Sequence, residues 1–261
     1  EELLRVKREW GLEIVKFYDD LFPFEPGKGL EEFAREYRTK VALPFHCLTR
    51  AERMTDDFAR LLKEAGCYSI SMSIESGNEE YRRKYLRRHM SDRTILDAYS
   101  TCRKYGINTF ANTILGLPGT ELEDEFRSVE INLEAGADLA LFPIFHPYPT
   151  TELAETARTL GLWDGSLSSF GISYMEESPL AFPRMRKRIQ NNLALLGTVA
   201  AVFPWAWPFL RRLTRLRENR LFFLLYYVCK MWIVEHKIYP GGISLAGLAR
   251  NALLDLRKFG R

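Results

Sequence analysis

The sequence has little cysteine and no close cysteine pair. Its cysteines include spacings of 20 and 35 residues, with no CxxC pair and no Cys/His cluster. Neither a disulfide framework nor a closely spaced metal site is therefore indicated. We interpret the cysteines as buried small hydrophobic side chains in a reducing cytosol. They are Cys47, Cys67, Cys102 and Cys229.

A start residue and a leader sequence are also missing. The chain begins with Glu1 rather than Met, and its first residues, EELLRVKREWG, already have a helical pattern. Nothing there resembles a signal peptide. We expect a fragment of a longer cytoplasmic protein.

Acidic residues are scarce in the last third of the chain. After Gly165 there are 15 Lys and Arg but only 5 Asp and Glu, whereas residues 1–165 hold 22 basic and 29 acidic residues. The net charge of +3 therefore hides an acidic first part joined to a basic tail. With 261 residues and 46% hydrophobic composition, the chain can bury a real core and is expected to be globular.

Short β-rich runs alternate with helical patterns as far as about Leu160. The predicted strands are Leu12–Tyr18, Phe45–Thr49, Tyr68–Ile74, Thr109–Leu115 and Leu139–Phe145. The predicted helices are Gly29–Lys40, Thr55–Ala65, Asn78–Leu86, Ser91–Tyr105, Glu121–Ala135 and Thr151–Leu160. Thr55 and Ser91 are typical N-caps, and glycines follow two helix ends. Repeated β–α units predict an α/β fold with a parallel sheet, closed or partly closed into a barrel or doubly wound.

Polar or turn-forming groups follow each predicted strand. They are Asp19-Asp20, Arg50, Glu75-Ser76-Gly77, Gly116-Leu117-Pro118-Gly119 and His146-Pro147-Tyr148-Pro149. Any one of them alone is better explained as a helix cap or a tight turn. In both kinds of parallel fold, however, ligands lie at the carboxyl ends of the strands. Five such groups at one edge therefore predict a binding site.

Long apolar runs broken by arginine groups replace this alternation after Asp164. Leu193–Leu210 holds 18 residues without a charge, and Leu221–Val234 contains only Lys230 as a charged residue. One interpretation is a helix pair in a membrane interface over residues 184–237, with tryptophans at headgroup depth. The other is a helical region packed on the barrel, because apolar runs of this length also occur in buried helices. The interleaved aliphatic residues disfavour nucleic-acid binding.

Six stretches of the sequence match one enzyme family in order and spacing. They are FYDDLF (17–22), LTRAE (48–52), SIESGNEE (73–80), LRRHMS (86–91), GINTFANTILGLPGTE (106–121) and PYPTTEL (147–153). Together they resemble the radical S-adenosylmethionine (SAM) enzymes, in particular the subgroup with an upstream cobalamin-binding domain. The resemblance implies a partial (β/α)6 TIM-like barrel. Residues 1–162 would supply its strands 2 to 6, and residues 163–261 a mostly helical C-terminal region.

The resemblance implies SAM and a four-iron, four-sulfur cluster as cofactors, with cobalamin in the parent protein. In such enzymes a CxxxCxxC loop after the first strand holds the cluster, whose open iron binds the amino and carboxylate groups of SAM. That loop is missing here and is expected before Glu1. The spacings of Cys47, Cys67 and Cys102 match no such loop. No metal ligand is therefore expected in this chain.

The resemblance also assigns SAM-binding roles to residues at the first strand ends. Tyr18, Asp19 and Asp20 correspond to a position near the methionine ammonium, where carboxylates suit a cation. The alternative is an Asp pair that caps the next turn. Arg50, which follows the second predicted strand, is assigned to the same cofactor site.

Further roles are implied at the third predicted strand. Glu75 and Ser76 correspond to side chains on the ribose hydroxyls and the amino acid part of SAM, since a carboxylate accepts well from vicinal hydroxyls. Arg88 corresponds to an arginine that pairs with the SAM carboxylate through its planar fork. Arg87, or an ordinary solvated helix end, is the alternative.

The last two predicted strands complete the implied site. Asn112 corresponds to a ribose contact, and the backbone of Ile114 to Gly116 to a contact with the adenine edge. Gly116 is equally consistent with a plain turn residue. Phe145 is assigned to the wall of the adenine pocket. His146 is a weak catalytic candidate, because a lone His before Pro is more often structural.

The implied parent protein is an enzyme that reductively cleaves SAM to methionine and a 5'-deoxyadenosyl radical, with methyl transfer from cobalamin as a further step. The chain alone is expected to be inactive without the cluster loop. Its expected substrate is a small or lipid-like molecule, and the membrane interpretation would place it at the inner membrane face. The alternative is a non-catalytic barrel remnant at a membrane surface. An aldolase-like or phosphate-binding barrel would need a Schiff-base Lys or a Gly-rich phosphate loop, and neither is seen.

Overall fold

A five-stranded parallel sheet forms the centre of the fold. The computed structural model describes residues 1–167 and 177–240. The strands are β1 (Val15–Lys16), β2 (Phe45–Thr49), β3 (Cys67–Met72), β4 (Asn108–Asn112) and β5 (Leu139–Leu141). They pair in chain order, and every pair is parallel. This is the partial barrel that the sequence predicts.

Helices connect the strands and cover the outer side of the sheet. Those of the first part are α1 (Glu2–Trp10), α2 (Lys28–Glu36), α3 (Asp56–Ala65), α4 (Glu79–Lys84), α5 (Asp92–Lys104), α6 (Leu122–Ala135) and α7 (Glu152–Thr159). The side chains of Thr55, Asn78 and Ser91 accept hydrogen bonds from backbone N–H groups in the first turns of α3, α4 and α5. The predicted N-caps at Thr55 and Ser91 are thus confirmed, because the local signal alone determines where these helices begin.

Beyond its regular strands the sheet continues only as single bridges. Glu75 is bridged to Thr113, and Leu115 to Ile144. The sequence predicted longer strands here, to Leu115 and Phe145, since the apolar pattern continues past the last regular pairing. Backbone hydrogen bonds still join these strand ends, for example from Ile114 N–H to the Glu75 carbonyl at 2.8 Å and from Leu115 N–H to the Pro143 carbonyl at 2.9 Å.

Both faces of the sheet are covered. Cys47, Ile70 and Ala111 belong to the main hydrophobic core, whereas alternate residues of the same strands, such as His46 and Ser71, line an internal cavity. Side chains of one strand point alternately to its two faces. The outer face thus packs against helices, and the inner face forms the concave side of the partial barrel.

Within residues 177–240, three α-helices and their linking turns follow the barrel. They are α8 (Arg184–Val202), α9 (Trp207–Leu213) and α10 (Arg220–Ile233). Helix α8 packs on α6 and β5, where the Thr198 hydroxyl donates to the Ala140 carbonyl at 2.8 Å. Gly197 lies so close to Phe142 that a Cβ there would meet its ring at 2.8 Å. Helix α8 therefore belongs to the core of the barrel.

This packing buries the first part of the apolar run Leu193–Leu210, whereas Phe203, Trp205 and Phe209 further along it are exposed. Residues Leu193–Ala200 of α8 are all buried in the protein, and none of the helices within the described residues is long and apolar enough to cross a membrane. The interpretation of residues 184–237 as a membrane-interface segment is not supported. The described part of the tail is instead a helical region that packs on the barrel.

The segment after α10 closes one end of the concave side. A π-helical turn, Val234–Ile238, contacts β3 and β4. There the Ser69 hydroxyl donates to the Ile238 carbonyl at 2.6 Å, and Ile233 and Ile238 form a small apolar cluster with Leu139. The tail thus supplies the floor of the partial barrel. Residues 168–176 and 241–261 of the predicted helical region lie outside the described residues, and the domain boundary at residue 162 stays a prediction.

Candidate functional site

A cavity of about 440 Å³ opens at the carboxyl ends of β1 to β4. A volume of this size suits a small-molecule ligand. Its walls contain Lys16, Tyr18, Asp20, His46, Leu48, Thr49, Arg50, Glu52, Ser71, Ser73, Glu75, Arg88, Met90, Phe110, Asn112 and Tyr239. Six of the residues proposed from sequence are among them: Tyr18, Asp20, Arg50, Glu75, Arg88 and Asn112. These residues are far apart in sequence, and the sheet brings them together.

An ion pair joins two of the predicted residues at the rim. Arg88 Nη2 donates to Glu75 Oε1 at 3.1 Å, and both side chains are mostly buried. Burial raises the pKa of the Glu75 carboxyl, while the positive charges of Arg88 and Arg50 oppose that shift. The rim therefore presents an anion and a guanidinium side by side.

Glu75 has an unusual backbone conformation. Its φ of 71° lies in the left-handed region, which costs energy for a residue other than glycine. Its carbonyl accepts from Ile114 N–H at 2.8 Å, and its own N–H donates to Asn112 O at 3.3 Å. These bonds from β4 hold the strained residue with its carboxylate in the cavity.

Arg82 fixes the two loops that carry the ion pair. Its side chain is completely buried. It donates to the Ser76 carbonyl at 2.6 Å and to the Met90 carbonyl at 3.3 Å, and it pairs with Asp92 at 2.5 Å. The loops on either side of α4 are thereby connected. Arg82 was not predicted as a site residue, because residues 82–88 include five cationic residues and look like a solvated helix face.

Ser76 lies outside the cavity lining. It is buried, and its hydroxyl accepts a hydrogen bond from Asn78 N–H at 3.2 Å. Next to it Gly77 donates to Ser128 Oγ at 2.8 Å, and a Cβ on Gly77 would overlap the backbone of Arg127 and Ser128. The glycine thus allows the loop to approach α6 closely, and Ser76 shapes the turn before α4.

The first strand end places its two aspartates differently. Both are exposed, but Asp20 lines the cavity and Asp19 does not. Tyr18 borders the cavity with most of its ring in solvent, and Lys16 Nζ lies 4.5 Å from the centre of that ring. Asp20 and not Asp19 is therefore the carboxylate that a ligand in the cavity would meet.

The Gly-Leu-Pro-Gly turn borders a second apolar cluster. Phe145, Leu117 and Tyr81 belong to this cluster, and Ile114 packs against it. The Tyr81 hydroxyl donates to the Pro118 carbonyl at 2.7 Å, which fixes the turn. Gly116 has a φ of 70°, and a Cβ there would lie 3.3 Å from Gln190. Ile114, Gly116 and Phe145 do not line the cavity.

His146 is also outside the cavity lining. Its ring is buried, and Nδ1 donates to the carbonyl of Ile144 at 3.0 Å. A histidine bonded to its own strand in this way has a structural explanation. Its catalytic role stays a prediction.

Another histidine, which the sequence analysis did not single out, does line the cavity. His46 on β2 is fully buried, with Nδ1 2.7 Å from Ser69 Oγ and Nε2 3.2 Å from Ser71 Oγ. Burial, together with the charge of Lys16, lowers its pKa to about 4. The sequence does contain a signal that His46 faces the cavity. His46 lies two residues before Leu48 in β2, so both side chains point to the inner face of the sheet.

The first half of the chain matches a known family. The family model of the radical SAM superfamily matches residues 1–130. Residues 1–130 belong to the radical SAM superfamily. The matched range includes β1 to β4 and the six predicted residues that line the cavity.

Two curated relatives of this radical SAM chain are methyltransferases. An uncharacterized methyltransferase of Pyrococcus horikoshii is 25% identical over 157 residues, which are 60% of this chain and 34% of the relative. Cytidylyl-2-hydroxyethylphosphonate methyltransferase of Streptomyces wedmorensis is 24% identical over 184 residues, covering 67% of this chain and 34% of the relative. The chain therefore spans about a third of the length of these relatives.

A solved structure has the same fold. The radical SAM methyltransferase TsrM of Kitasatospora setae, with cobalamin and a [4Fe-4S] cluster bound, superposes with a TM-score of 0.52 at 16% identity. The match covers 71% of this chain and 36% of TsrM. The aligned part of this chain therefore extends beyond residue 130.

The cysteines of this radical SAM chain do not fit an iron–sulfur cluster. The Cys67 thiol donates to the Ser69 carbonyl at 3.4 Å, and burial raises the pKa of the Cys67 and Cys102 thiols far above the usual range. A cluster ligand must be a thiolate, and none of the cysteines lines the cavity. Within residues 1–167 and 177–240, no group of three His, Cys, Asp or Glu side chains is placed to hold a metal ion.

Proposed function

We propose that this chain forms the SAM-binding part of a radical SAM methyltransferase. The observation that carries the proposal is the meeting of Asp20, Glu75, Arg88 and Asn112 at one cavity, as the family resemblance requires. The methyltransferases among the relatives support methyl transfer as the outcome. The alternative, a barrel remnant without a ligand, predicts no such convergence of carboxylates, a guanidinium and an amide.

The charged groups of the cavity are complementary to the amino acid part of SAM. Asp20 would face the ammonium group. Arg88 uses one Nη atom for Glu75, and its planar fork has further N–H groups for the SAM carboxylate. Opposite charges at these two points would orient the methionine moiety, and each contact gains strength where water is excluded.

Glu75 and Asn112 would hold the ribose. A carboxylate accepts hydrogen bonds from vicinal hydroxyls, and an amide can both donate and accept. For this role Glu75 must be ionised, and the neighbouring Arg88 favours that form against the effect of burial. The strained backbone of Glu75 fixes the direction of the carboxylate.

The adenine would extend beyond the cavity lining to reach backbone groups near Gly116. The N–H groups of Ile114 and Leu115 are already used, since they donate to Glu75 O and Pro143 O at 2.8 and 2.9 Å. An adenine contact would therefore come from the Ile114 carbonyl or from Gly116. Phe145 could serve as a wall only if the base reached the second apolar cluster.

The cofactors of the parent enzyme are part of this proposal. The chemistry that a cluster held elsewhere in the parent protein would supply is one electron for SAM cleavage, and cobalamin would supply a methyl carrier. The cysteines of this sequence do not hold the cluster, so we assign none of them to it. The chain's own residues bind and orient SAM and keep water from the reactive centre. The methyl acceptor is proposed to be a small molecule.

Binding of S-adenosylhomocysteine to the full-length protein tests the proposal by calorimetry. Glu75→Gln and Arg88→Gln are each expected to weaken binding about tenfold or more, because each removes a charge-assisted hydrogen bond. Arg87→Gln is the matched control. Arg87 is exposed, pairs with the exposed Glu152, and does not line the cavity, so its variant should bind as the parent does.

Two results would contradict the proposal. One is the absence of S-adenosylhomocysteine binding by the folded parent protein. The other is a loss on Arg87→Gln equal to that on Arg88→Gln, which would move the carboxylate contact away from the cavity. In the iron-reconstituted parent, formation of 5'-deoxyadenosine or of methylated product then reports on the reaction itself.

A further inference from the structure

We propose that His46 and Ser71 form a second recognition point in the cavity, which holds the methyl acceptor through an N–H or O–H donor. This inference rests on the proposed function, because it assumes that SAM occupies the rim of the same cavity. It assigns the substrate to the inner wall of the barrel, near the floor made by the tail. The observations that carry it are a hydrogen-bond chain, its direction, and the surfaces around it.

The hydrogen-bond chain crosses two strands on the concave side. His46 on β2 contacts Ser69 and Ser71 on β3, at 2.7 Å from Nδ1 and 3.2 Å from Nε2. Ser69 in turn donates its hydroxyl proton to the Ile238 carbonyl at 2.6 Å. The hydrogen-bond chain therefore runs from the floor segment, residues 234–239, to a serine that lines the cavity.

The direction of the chain follows from the single proton of each hydroxyl. Ser69 gives its proton to Ile238, so its oxygen can only accept, and His46 Nδ1 must carry the hydrogen. His46 is neutral at pH 7, since its pKa is about 4. Its Nε2 is then a bare acceptor that takes the Ser71 hydroxyl proton.

Ser71 consequently presents lone pairs to the cavity. Its proton is directed at His46, and its oxygen lines the cavity wall. A ligand group at this point must therefore donate a hydrogen bond, and a carboxylate or carbonyl oxygen would meet another acceptor. A group without a donor would leave this buried acceptor unsatisfied, which costs free energy.

The neighbouring surfaces are aromatic and aliphatic. Tyr239 from the floor segment packs edge-on against the His46 ring, at 4.9 Å between centres. Phe110 and Leu48 also line the cavity, and so does one cation that is not proposed to hold SAM, Lys16, whose Nζ lies 5.0 Å from the centre of the Tyr239 ring. The geometry suits a small molecule with a planar or apolar body that carries an N–H or O–H group.

Nitrogen NMR of the full-length protein, prepared without iron and with ¹⁵N-labelled histidine, tests the hydrogen-bond chain. His46→Gln identifies the His46 signals. We expect the Nδ1–H form, neutral between pH 8 and about pH 5. An Nε2–H form, or a charged ring at pH 7, would overturn the inference, because Ser71 would then be free to donate.

A pair of probes tests the recognition itself. Indole has an N–H donor, and 1-methylindole has the same planar body without it. We expect indole to shift the His46 Nε2 signal and to bind about three- to tenfold more tightly than 1-methylindole, as one net hydrogen bond allows. Equal affinities, or no shift at His46 with indole, would contradict the inference.

Variants separate this inference from the proposed function. Ser71→Ala should abolish the preference for indole while S-adenosylhomocysteine still binds with its normal affinity. Ser100→Ala is the matched control, because Ser100 is exposed on α5, and it should keep the preference. If S-adenosylhomocysteine fails to bind the parent, the proposed function fails. If it binds and Ser71→Ala keeps the preference, the second recognition point alone is wrong.

Discussion

At the scale of single residues, Arg82 shows how much of the site depends on a side chain that touches no ligand. Its buried guanidinium connects the carbonyls of Ser76 and Met90 and pairs with Asp92. These loops carry Glu75 and Arg88. Because a buried cation is costly unless its hydrogen bonds are satisfied, the two loops and Arg82 stabilise one another.

Replacement of Arg82 should therefore affect stability and ligand binding together. Arg82→Met is expected to lower the free energy of unfolding by about 3 kcal/mol, since it breaks a buried ion pair and leaves two carbonyls without a donor. Urea denaturation measures the change. Arg83→Met is the control, because Arg83 is exposed on the same helix, and should alter stability by less than about 0.5 kcal/mol. Equal effects would show that Arg82 connects nothing.

His46 gives a prediction on pH dependence. Its pKa is about 4 in the folded protein, against an ordinary value of 6.5. Between these values the unfolded chain binds more protons than the folded one, so stability should rise from pH 4 to 6.5 and level off above. The contribution is on the order of 3 kcal/mol. In His46→Gln this rise should be reduced when urea midpoints are compared at several pH values. An unchanged profile would contradict the assignment.

At the scale of elements, helix α8 determines how the tail meets the barrel. It crosses the outer side next to β5 and α6, and Gly197 makes the close approach possible. The apolar run that contains Gly197 could equally have served a lipid surface, because both environments favour the same side chains. Only the packing partners distinguish the two cases, and these are not local in sequence.

Gly197→Ala tests the close approach of α8. A Cβ would meet Phe142 at 2.8 Å and Val129 at 3.2 Å, so overpacking should outweigh the gain in helix propensity. We expect a net loss of about 1–3 kcal/mol in the free energy of unfolding. Gly29→Ala is the control in α2, where the nearest side-chain atom is 3.9 Å away. The Gly29→Ala variant should be neutral or slightly stabilising. A similar loss in this control would contradict the claim that close packing at Gly197 causes the effect.

Much of the fold and part of the site could be predicted from the sequence. Thr55 and Ser91 mark helix starts through local hydrogen bonds, and the strand periodicity located β2 correctly to the residue. Glu75 and Arg88 were proposed through their motif and line the cavity, and their binding roles stay a prediction. Arg82 could not be separated from the cationic residues around it, because burial of one arginine depends on loops distant in sequence. The contribution of the tail to the cavity floor was hidden for the same reason.

At the scale of the whole molecule, part of the uneven charge of the sequence has a structural explanation. Basic residues of the tail pair with acidic residues of the first part, notably in the ion pairs Arg186–Glu125, Arg211–Glu123, Arg211–Glu130 and Lys237–Asp138. The acidic first part and the basic tail are thus partners within one chain. These cations need neither lipid headgroups nor nucleic acid to balance them.

The pair Arg186–Glu125 is the most buried of these contacts. Glu125 is almost fully buried, and burial raises the pKa of its carboxyl while Arg186 and Gln190 oppose the shift. Arg186→Met should reduce stability by about 3 kcal/mol, because it leaves Glu125 without its cation. The double variant with Glu125→Gln should recover part of that loss. Arg184→Met, at an exposed position of the same helix, is the control, and strict additivity of the double variant would refute the coupling.

The floor made by the segment around Tyr239 affects the order in which the protein is assembled during translation. Strands β1 to β4 leave the ribosome long before this segment does. A nascent chain that ends before Tyr239 contains the residues of the cavity rim but lacks the floor of the cavity. Small molecules can therefore be enclosed only after synthesis has passed the tail.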